Sequence, residues 1–155
     1  MKVQVEWDKA VNLGSKATFI KSLETRIATL PAVAGIYVFA RSYGTAIIPI
    51  YIGKASNLRS RIKTQSNNRR LMDATRTEKN GDRILLIGRV KTLPGQNLQR
   101  VLEIAERTHI ENAMTAGFPL INIQGTKTRR HEVVIQGRKA RRHPFPRLMY
   151  LAIAR

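Results

Sequence analysis

The sequence of 155 residues predicts an α+β fold, in which helices flank a small and mostly antiparallel sheet. Two apolar segments joined by a short polar turn indicate a β-hairpin, and a third strand-like segment follows later in the chain. Helical periodicity before, between and after these strands makes the predicted order α-ββ-α-β-α-ββ, and such a mixed order is typical of a sheet covered by helices. We assign 1–30 to an N-terminal helical leader, 31–125 to the main domain and 126–155 to a basic C-terminal extension of β character.

The leader is expected to contain one helix. It begins at Ser15 or Thr18, both of which are residues that cap helices through a side-chain oxygen. It ends near Leu30, because Pro31 follows and disfavours a helical residue before it. Three apolar residues are spaced by four and therefore share one face: Phe19, Leu23 and Ile27.

The predicted hairpin consists of strands 35–40 and 46–52 around a turn at 42–44. Proline has no N–H to donate to a neighbouring strand. Pro49 must therefore avoid the paired side of its strand or mark an edge or a bulge. Gly53 is expected to end the second strand.

A helix is predicted directly after the hairpin, over 57–65, with Ser56 as its N-cap. Leu58 and Ile62 would face inward, since residues four apart lie on the same side of a helix. The remaining assignments are a polar loop with some helix at 66–82, a third strand at 83–91, the longest helix at 97–116, and strands at 132–136 and 147–154.

The net charge is the first clue to function. The chain has 28 Lys and Arg residues against 10 Asp and Glu residues, a formal net charge of +18, which predicts a polyanionic partner. Nucleic acid is the first candidate. An anionic membrane is less favoured as the partner, because the sequence shows no basic amphipathic helix with a broad apolar face. A generic basic protein, such as a ribosomal component, is the alternative. The segment 126–155 alone has nine basic residues and one acidic residue.

Several classes of protein are excluded by composition. The sequence contains no cysteine, so it forms no disulfide, thiolate zinc site or cysteine nucleophile. No apolar run approaches the roughly 20 residues of a membrane helix. The N-terminal segment has no apolar signal-peptide region. We therefore expect a soluble, cytoplasmic protein.

Two short motifs lie on the predicted hairpin, Gly-Ile-Tyr at 35–37 and Tyr-Ile-Gly at 51–53. The second continues as Lys-Ala-Ser-Asn-Leu-Arg-Ser-Arg over 54–61. Further along, Glu106 lies on the long helix, and a proline is followed three residues later by Asn122. Together these blocks resemble the GIY-YIG nuclease family, over about residues 31–123. The block at 54–61 is especially similar to the incision domain of excision-repair nucleases.

The resemblance implies a metal-dependent endonuclease that cuts double-stranded or branched DNA with one Mg²⁺ or Mn²⁺. The site residues that it implies are Tyr37, Tyr51, Lys54, Arg61, Glu106 as the metal ligand, and Asn122. Tyr37 would be the general base or would position the water. Lys54 would lower the pKa of that phenol or contact the phosphate. Tyr51 would orient the phosphate or the water, and Asn122 would brace the site by hydrogen bonds.

The pattern of the long helix independently favours Glu106 among its glutamates. Phosphodiester hydrolysis needs charge stabilisation, and Mg²⁺ takes oxygen ligands. Glu106 shares a stripe with Leu102 and Ile110, and an inward carboxylate is costly unless it is paired or metal-bound. Glu103 can instead pair with Arg107 on an exposed face. The simpler alternative is that Glu106 lies at the boundary of the core and reaches water.

Arg61 is expected to border the buried face of its helix, because it follows Leu58 by three residues and precedes Ile62. The resemblance implies that it holds the scissile phosphate and stabilises developing charge. A solvated basic face is the alternative. Many family members have a histidine one turn after this arginine. Gln65 stands there in this sequence, which excludes a histidine base at that position.

Other residues are candidates for nucleic-acid binding. Gly53 allows close approach of the backbone to a substrate, and the basic residues supply phosphate contacts without sequence specificity. The full set is Gly53, Arg59, Lys63, Arg69, Arg70, Arg129, Arg130, Arg138, Arg141 and Arg142. RNA is not excluded as a substrate, and no oligomeric state is predicted. Two rival hypotheses are a non-catalytic nucleic-acid-binding protein on the same scaffold and a structural component of a ribonucleoprotein.

Overall fold

The computed structural model describes residues 1–121, 129–134 and 148–153. The chain divides into two compact units, Met1–Ile121 and Asn122–Arg155. A five-stranded sheet and four α-helices make up the first unit, and every strand pair in that sheet is antiparallel. The predicted α+β class, with helices flanking a mostly antiparallel sheet, is confirmed.

The elements of the first unit are β1 (Gln4–Trp7), β2 (Val11–Gly14), α1 (Phe19–Arg26), a 3-10 turn (Ile27–Thr29), β3 (Gly35–Tyr43), β4 (Ala46–Ala55), α2 (Leu58–Gln65), α3 (Arg69–Thr77), β5 (Asp82–Lys91) and α4 (Leu98–Thr115). The second unit contains β6 (Arg129–Val134) and β7 (Leu148–Ile153), which form an antiparallel pair. This pair confirms the β character expected of the C-terminal extension. Among the described residues, no helix is long and apolar enough to cross a bilayer.

The leader contains two strands that its sequence does not predict. β1 pairs with the C-terminal half of β5 and β2 with its N-terminal half, so both extend the same edge of the sheet. β1 is short and mostly exposed, so it lacks the alternation of buried and exposed residues that identifies a strand. Two ion pairs connect this part of the chain to β5. Glu6 of β1 pairs with Lys91, and Asp8, which follows β1, pairs with Arg89.

The register of the β3–β4 hairpin determines which residues meet across the two strands. Tyr37 lies opposite Gly53 and Phe39 opposite Tyr51, but Ala40 lies opposite Pro49, so one extra residue of β4 forms a bulge. β4 is also the edge strand of the sheet order β1-β5-β3-β4. The prediction that the proline marks an edge or a bulge is confirmed. The prediction that Gly53 ends the strand is wrong, since β4 continues to Ala55.

Both faces of the sheet are covered. One face packs against α1, α2 and α3, and its core includes Tyr37, Phe39, Leu85 and Ile87 together with Phe19, Leu23, Leu58, Ile62, Leu71 and Met72. Successive side chains of a strand point to opposite faces. The alternate residues of β3 and β4 therefore face α4, whose own inward residues include Val101, Leu102 and Ala105. The edge strand β4 consequently lies between α2 and α4.

Asparagines, rather than serine, cap the helices around this edge. The side chain of Asn57 accepts a hydrogen bond from Ser60 N at 3.1 Å and begins α2, so the predicted Ser56 cap is wrong by one residue. Asn68 and Asn97 cap α3 and α4 in the same way. Asparagine oxygens satisfy N–H groups that have no partner within the helix. α3 is the helical part of the segment predicted as a loop with some helix.

Arg83 holds the end of α3 against the sheet. This arginine of β5 is fully buried, and its guanidinium donates hydrogen bonds to five backbone carbonyls. The acceptors, all at 2.6–3.2 Å, are Thr75, Arg76, Glu78, Lys79 and Gly81. Burial lowers the pKa of this guanidinium from its usual value, but the carbonyls at the helix C-terminus favour a cation there.

We expect Arg83→Met to lower the free energy of unfolding by about 3 kcal/mol or more, because each buried carbonyl that loses its donor costs roughly 1–3 kcal/mol. Urea denaturation checks this value. The matched control is Arg89→Met on the same strand, which removes only an exposed ion pair with Asp8 and should cost less than about 1 kcal/mol. Equal losses in the two variants would contradict the role given to Arg83.

Candidate active site at the edge of the sheet

A cavity of about 570 Å³ opens at the edge strand β4, between α2 and α4. Five residues predicted to be catalytic line it together, namely Tyr37, Tyr51, Lys54, Arg61 and Glu106. They come from four different elements, since Tyr37 is on β3, Arg61 on α2 and Glu106 on α4. Gly53 also lines the cavity. The sixth predicted residue, Asn122, lies outside the described residues.

The two tyrosines form the floor of the cavity next to α2. Their rings stack with centroids 5.9 Å apart and planes inclined by 27°. Tyr37 is fully buried, while Tyr51 is half-buried on the edge strand. A Cβ at Gly53 would lie only 2.5 Å from both Cζ and the hydroxyl oxygen of Tyr37. The glycine therefore provides the space through which the phenol reaches the cavity.

Two side chains of α2 lie next to these phenols. The guanidinium of Arg61 is beside Tyr37 and Tyr51, although Arg61 as a whole is exposed. Gln65, one turn later, donates from Nε2 to the hydroxyl oxygen of Tyr37 at 3.1 Å and of Tyr51 at 3.4 Å. Arg61 and Gln65 lie four residues apart, so they approach the same two phenols from one face of the helix.

The electrostatics of Tyr37 differ from the sequence-based expectation. Burial, followed by the neighbouring Tyr51 phenol, raises the pKa of Tyr37 above its ordinary value, and Arg61 offsets this only in part. The neighbouring Tyr37 phenol in turn raises the pKa of Arg61. The cation beside the phenol is therefore Arg61, and the expectation that Lys54 lowers the pKa of Tyr37 is wrong. Tyr37 is a neutral phenol at neutral pH.

Lys54 contacts the carboxylate of the cavity instead. Its Nζ lies 3.0 Å from Oε2 of Glu106, and the two side chains are 33% and 24% exposed. Successive residues of β4 point to opposite faces, so Lys54 faces α4 while Gly53 faces the phenols. The predicted inward stripe of α4 is confirmed, because Leu102 and Ile110 are buried on either side of Glu106. The cavity thus contains two cations and one carboxylate.

The donor set fits a hard divalent cation held by one carboxylate. Mg²⁺ commonly binds through one or two carboxylates together with water and substrate phosphate oxygens. Glu106 is partly exposed to the cavity and can supply such a ligand. Within the described part of the chain, no group of three or more His, Asp or Glu side chains is arranged to hold a metal ion. His109 is directed away, since its ring packs edge-on against Trp7.

The other glutamates of α4 lie on its exposed surface. Glu103 is 3.9 Å from Arg100, and Arg107 pairs with Glu111 at 2.9 Å. The predicted pair of Glu103 with Arg107 is therefore wrong, because Arg107 extends towards the next turn of the helix. The expectation that Glu106 faces inward while Glu103 is exposed is nevertheless correct, since Glu106 is the glutamate of α4 that lines the cavity.

The residues predicted to bind nucleic acid are dispersed in the structure. Lys63, Arg69 and Arg70 are exposed on α2 and at the start of α3. Arg59 is exposed as well, but its Nε donates to Leu30 O at 2.7 Å, so one of its donors is used within the fold. In the second unit, Arg129 and Arg130 belong to strand β6. Arg138, Arg141 and Arg142 lie outside the described residues.

Several polar residues of the cavity are absent from the sequence-based set. Ser60 and Thr64 flank Arg61 along α2, and Gln99 comes from the first turn of α4. Helical spacing around Arg61 identifies the first two, since residues at i−1 and i+3 lie on adjoining parts of one face. The sequence pattern marks Gln65 only as a glutamine where many GIY-YIG family members have a histidine. Its hydrogen bonds to the phenols become apparent only when β3, β4 and α2 are packed together.

Comparison with known proteins adds no assignment, since no protein-family model, curated protein or solved structure matches this chain. The resemblance to GIY-YIG nucleases therefore rests on the sequence motifs alone.

We expect Gly53→Ala to lower the free energy of unfolding by about 1–3 kcal/mol, because the new methyl group must displace the buried ring of Tyr37. A double-mutant cycle with Tyr37→Leu, followed by urea denaturation, measures the coupling. The methyl should cost much less when the ring is absent. Additive effects of the two substitutions would show that the close approach does not constrain the site.

We expect Tyr37 to remain protonated well above pH 10, because burial raises its pKa. The near-ultraviolet tyrosinate absorbance of the native protein should therefore equal that of Tyr37→Phe up to about pH 11. The unfolded chain ionises near pH 10, so the stability contributed by a raised pKa is complete below pH 10 and is lost as the pH rises further. A Tyr37-dependent absorbance step near pH 10 would contradict this assignment.

Proposed function

We propose that this protein is a GIY-YIG-type endonuclease that hydrolyses phosphodiester bonds of DNA with a single divalent cation. The observation that supports it best is the convergence of Tyr37, Tyr51, Lys54, Arg61 and Glu106 on one cavity at the sheet edge. These residues come from four different elements, and they include each type of group that the reaction needs. Those groups are cations for the phosphate, a carboxylate for a metal ion and phenols to position water.

The cations of the cavity suit a phosphodiester. Arg61 lines the cavity beside the two phenols, and its planar guanidinium can give two parallel N–H donors to a phosphate. Lys54 is a compact charge on the opposite side, next to Glu106. A phosphate placed between them receives donors from both sides, which stabilises the additional charge of the transition state.

Hydrolysis requires the oxygen of a water molecule to bond to phosphorus while the bond from phosphorus to the leaving oxygen breaks. The water loses a proton and the leaving oxygen gains one. A divalent cation held by Glu106 would supply Lewis acidity, since it would lower the pKa of water and withdraw charge from phosphate oxygens. Tyr37, a neutral phenol, and Tyr51 orient water and phosphate by hydrogen bonds. We do not assign Tyr37 the role of a phenolate base, because its pKa is raised.

Affinity for DNA is assigned to the exposed basic residues around the cavity. Arg69 and Arg70 begin α3 next to Asn68, which contacts Gln65 behind the tyrosines. With the other cations of a chain of net charge +18, they provide phosphate contacts without base recognition. Such binding should weaken steeply as salt concentration rises. We propose a cytoplasmic location, in keeping with the cysteine-free sequence and the nucleic-acid substrate.

One observation favours a second candidate, a non-catalytic nucleic-acid-binding protein on the same scaffold. The carboxylate of Glu106 is already paired with Lys54 at 3.0 Å, so this ammonium occupies the position at which a cation would bind. If the pair persisted when DNA binds, the cavity would hold phosphate by Arg61 and Lys54 without cleaving it. Cleavage assays separate the two candidates.

We expect the protein to nick supercoiled plasmid with Mg²⁺ or Mn²⁺ and to be inactive with EDTA. Glu106→Ala should reduce the rate by at least about 100-fold, because it removes the ligand for the cation. The matched control is Glu103→Ala, on the same helix but exposed and outside the cavity, which should cleave at the native rate.

Native cleavage by Glu106→Ala, or cleavage that persists in EDTA, would refute the metal-dependent mechanism. If neither protein cuts any form of DNA while both bind it in a salt-sensitive manner, the non-catalytic candidate replaces the nuclease.

A further inference from the structure

Gln65 lies behind the two tyrosines and is buried, with only 4% of its surface exposed. It is the last residue of α2, one turn after Arg61. Its Nε2 is the donor to both phenol oxygens, at 3.1 Å to Tyr37 and 3.4 Å to Tyr51. A buried amide with both ends hydrogen-bonded adopts one orientation, since the reversed amide would place like groups against each other.

The orientation of this amide is determined by the start of α3. Oε1 of Gln65 accepts a hydrogen bond from Nδ2 of Asn68 at 3.0 Å. Oδ1 of Asn68 is engaged by the backbone N–H of Leu71 at 3.2 Å, as the N-cap of α3. A backbone N–H is always a donor, so Asn68 must direct its oxygen to Leu71 and its amino group to Gln65. Gln65 must then direct its own amino group to the phenols.

The hydrogen bonds from Gln65 restrict where the phenol protons can point. Each phenol oxygen accepts from Nε2 of Gln65, so its own O–H must donate in another direction. Both tyrosines line the cavity, Gln65 is not among its lining residues, and Tyr51 is the more exposed of the two phenols.

We propose that Gln65 is a positioning residue that keeps the phenol protons of Tyr37 and Tyr51 directed away from α2 and into the cavity. Tyr51 then presents an O–H donor to a substrate phosphate oxygen. Gln65 does not touch the substrate and acts through the two tyrosines. The inference deepens the proposed nuclease function and rests on it for the identity of the substrate. The hydrogen-bond direction itself is independent of cleavage.

The charged and titratable groups around the phenols come from three elements. Arg61 of α2 lies beside both phenols, and Lys54 of β4 with Glu106 of α4 also lines the cavity. Gln65 itself does not titrate. Replacing it by glutamate therefore introduces one new ionisable group at the phenols and leaves the other charges in place.

The test uses Gln65→Glu, which keeps the size of the side chain and the acceptor for Asn68. When protonated, the introduced carboxyl has one O–H and can donate to one phenol oxygen; when ionised, it can only accept hydrogen bonds from the phenols. We expect kcat to be close to the native value at acidic pH and to fall by about 100-fold as the carboxyl ionises, since a donor to the phosphate is lost. The native enzyme should lack this transition.

A second measurement does not depend on cleavage. In protein labelled with ¹³C at the tyrosine Cζ, the signals of Tyr37 and Tyr51 should shift in Gln65→Glu over the same pH range as kcat. Tyr43 is 60% exposed and serves as an internal reference that should not shift. Gln96→Glu, the same substitution at a surface glutamine that bonds Lys2 O and Leu93 N, should show neither effect.

A second variant addresses the case in which Gln65→Glu does not fold. Asn68→Asp keeps the N-cap oxygen of α3 but removes the donor to Gln65, so the amide of Gln65 turns over and accepts from the phenols. We expect the same direction of change in kcat and in the tyrosine signals, without a new charge beside the phenols.

Two results would overturn the proposal. One is a kcat equal to the native value in both variants at every pH. The other is tyrosine signals that do not change in either Gln65→Glu or Asn68→Asp. If the native protein cleaves nothing, the nuclease function fails, but the tyrosine signals still decide the direction of the hydrogen bonds.

Discussion

The close approach of the Tyr37 ring to Gly53 is the constraint on which the site depends. A tyrosine in the middle of a sheet normally ends in the core, but here the opposite residue on the edge strand has no side chain, and the phenol crosses above it. The antiparallel register that pairs these two residues is therefore as important as their identity. A slip of one residue would turn the tyrosine to the other face of the sheet and would remove it from Arg61 and Gln65.

The edge position of β4 explains how one small cavity contains phenols, two cations and a carboxylate. Because no further strand covers this edge within the described residues, α2 and α4 approach it from opposite faces of the sheet. Alternate residues of a single strand then serve both sides, with Gly53 beneath the phenols and Lys54 beside Glu106. Strands and helices, rather than a loop, thus position the phenols, the guanidinium and the ammonium–carboxylate pair in one cavity.

Stability and the site are connected through α3. At the C-terminal end of this helix, the buried guanidinium of Arg83 binds backbone carbonyls and holds the helix against β5. At its N-terminal end, Asn68 both caps the helix and orients the amide of Gln65. In the described structure α3 lines no part of the cavity. Through Asn68 it nevertheless determines which groups donate and which accept in the hydrogen bonds at the phenols.

The sequence alone determined the α+β class, the hairpin, the bulge or edge at Pro49, and the inward position of Glu106, because each follows from local periodicity or from the covalent chemistry of one residue. It did not determine β1 and β2, whose short polar strands are stabilised by pairing with β5 rather than by their own pattern. Nor did it determine the electrostatic partners. Lys54 pairs with Glu106, and Arg61 lies beside the phenols, because strand alternation and helix packing place them there. The raised pKa of Tyr37 and the hydrogen bonds of Gln65 to the phenols likewise arise from burial and from distances between elements, which only the tertiary structure decides.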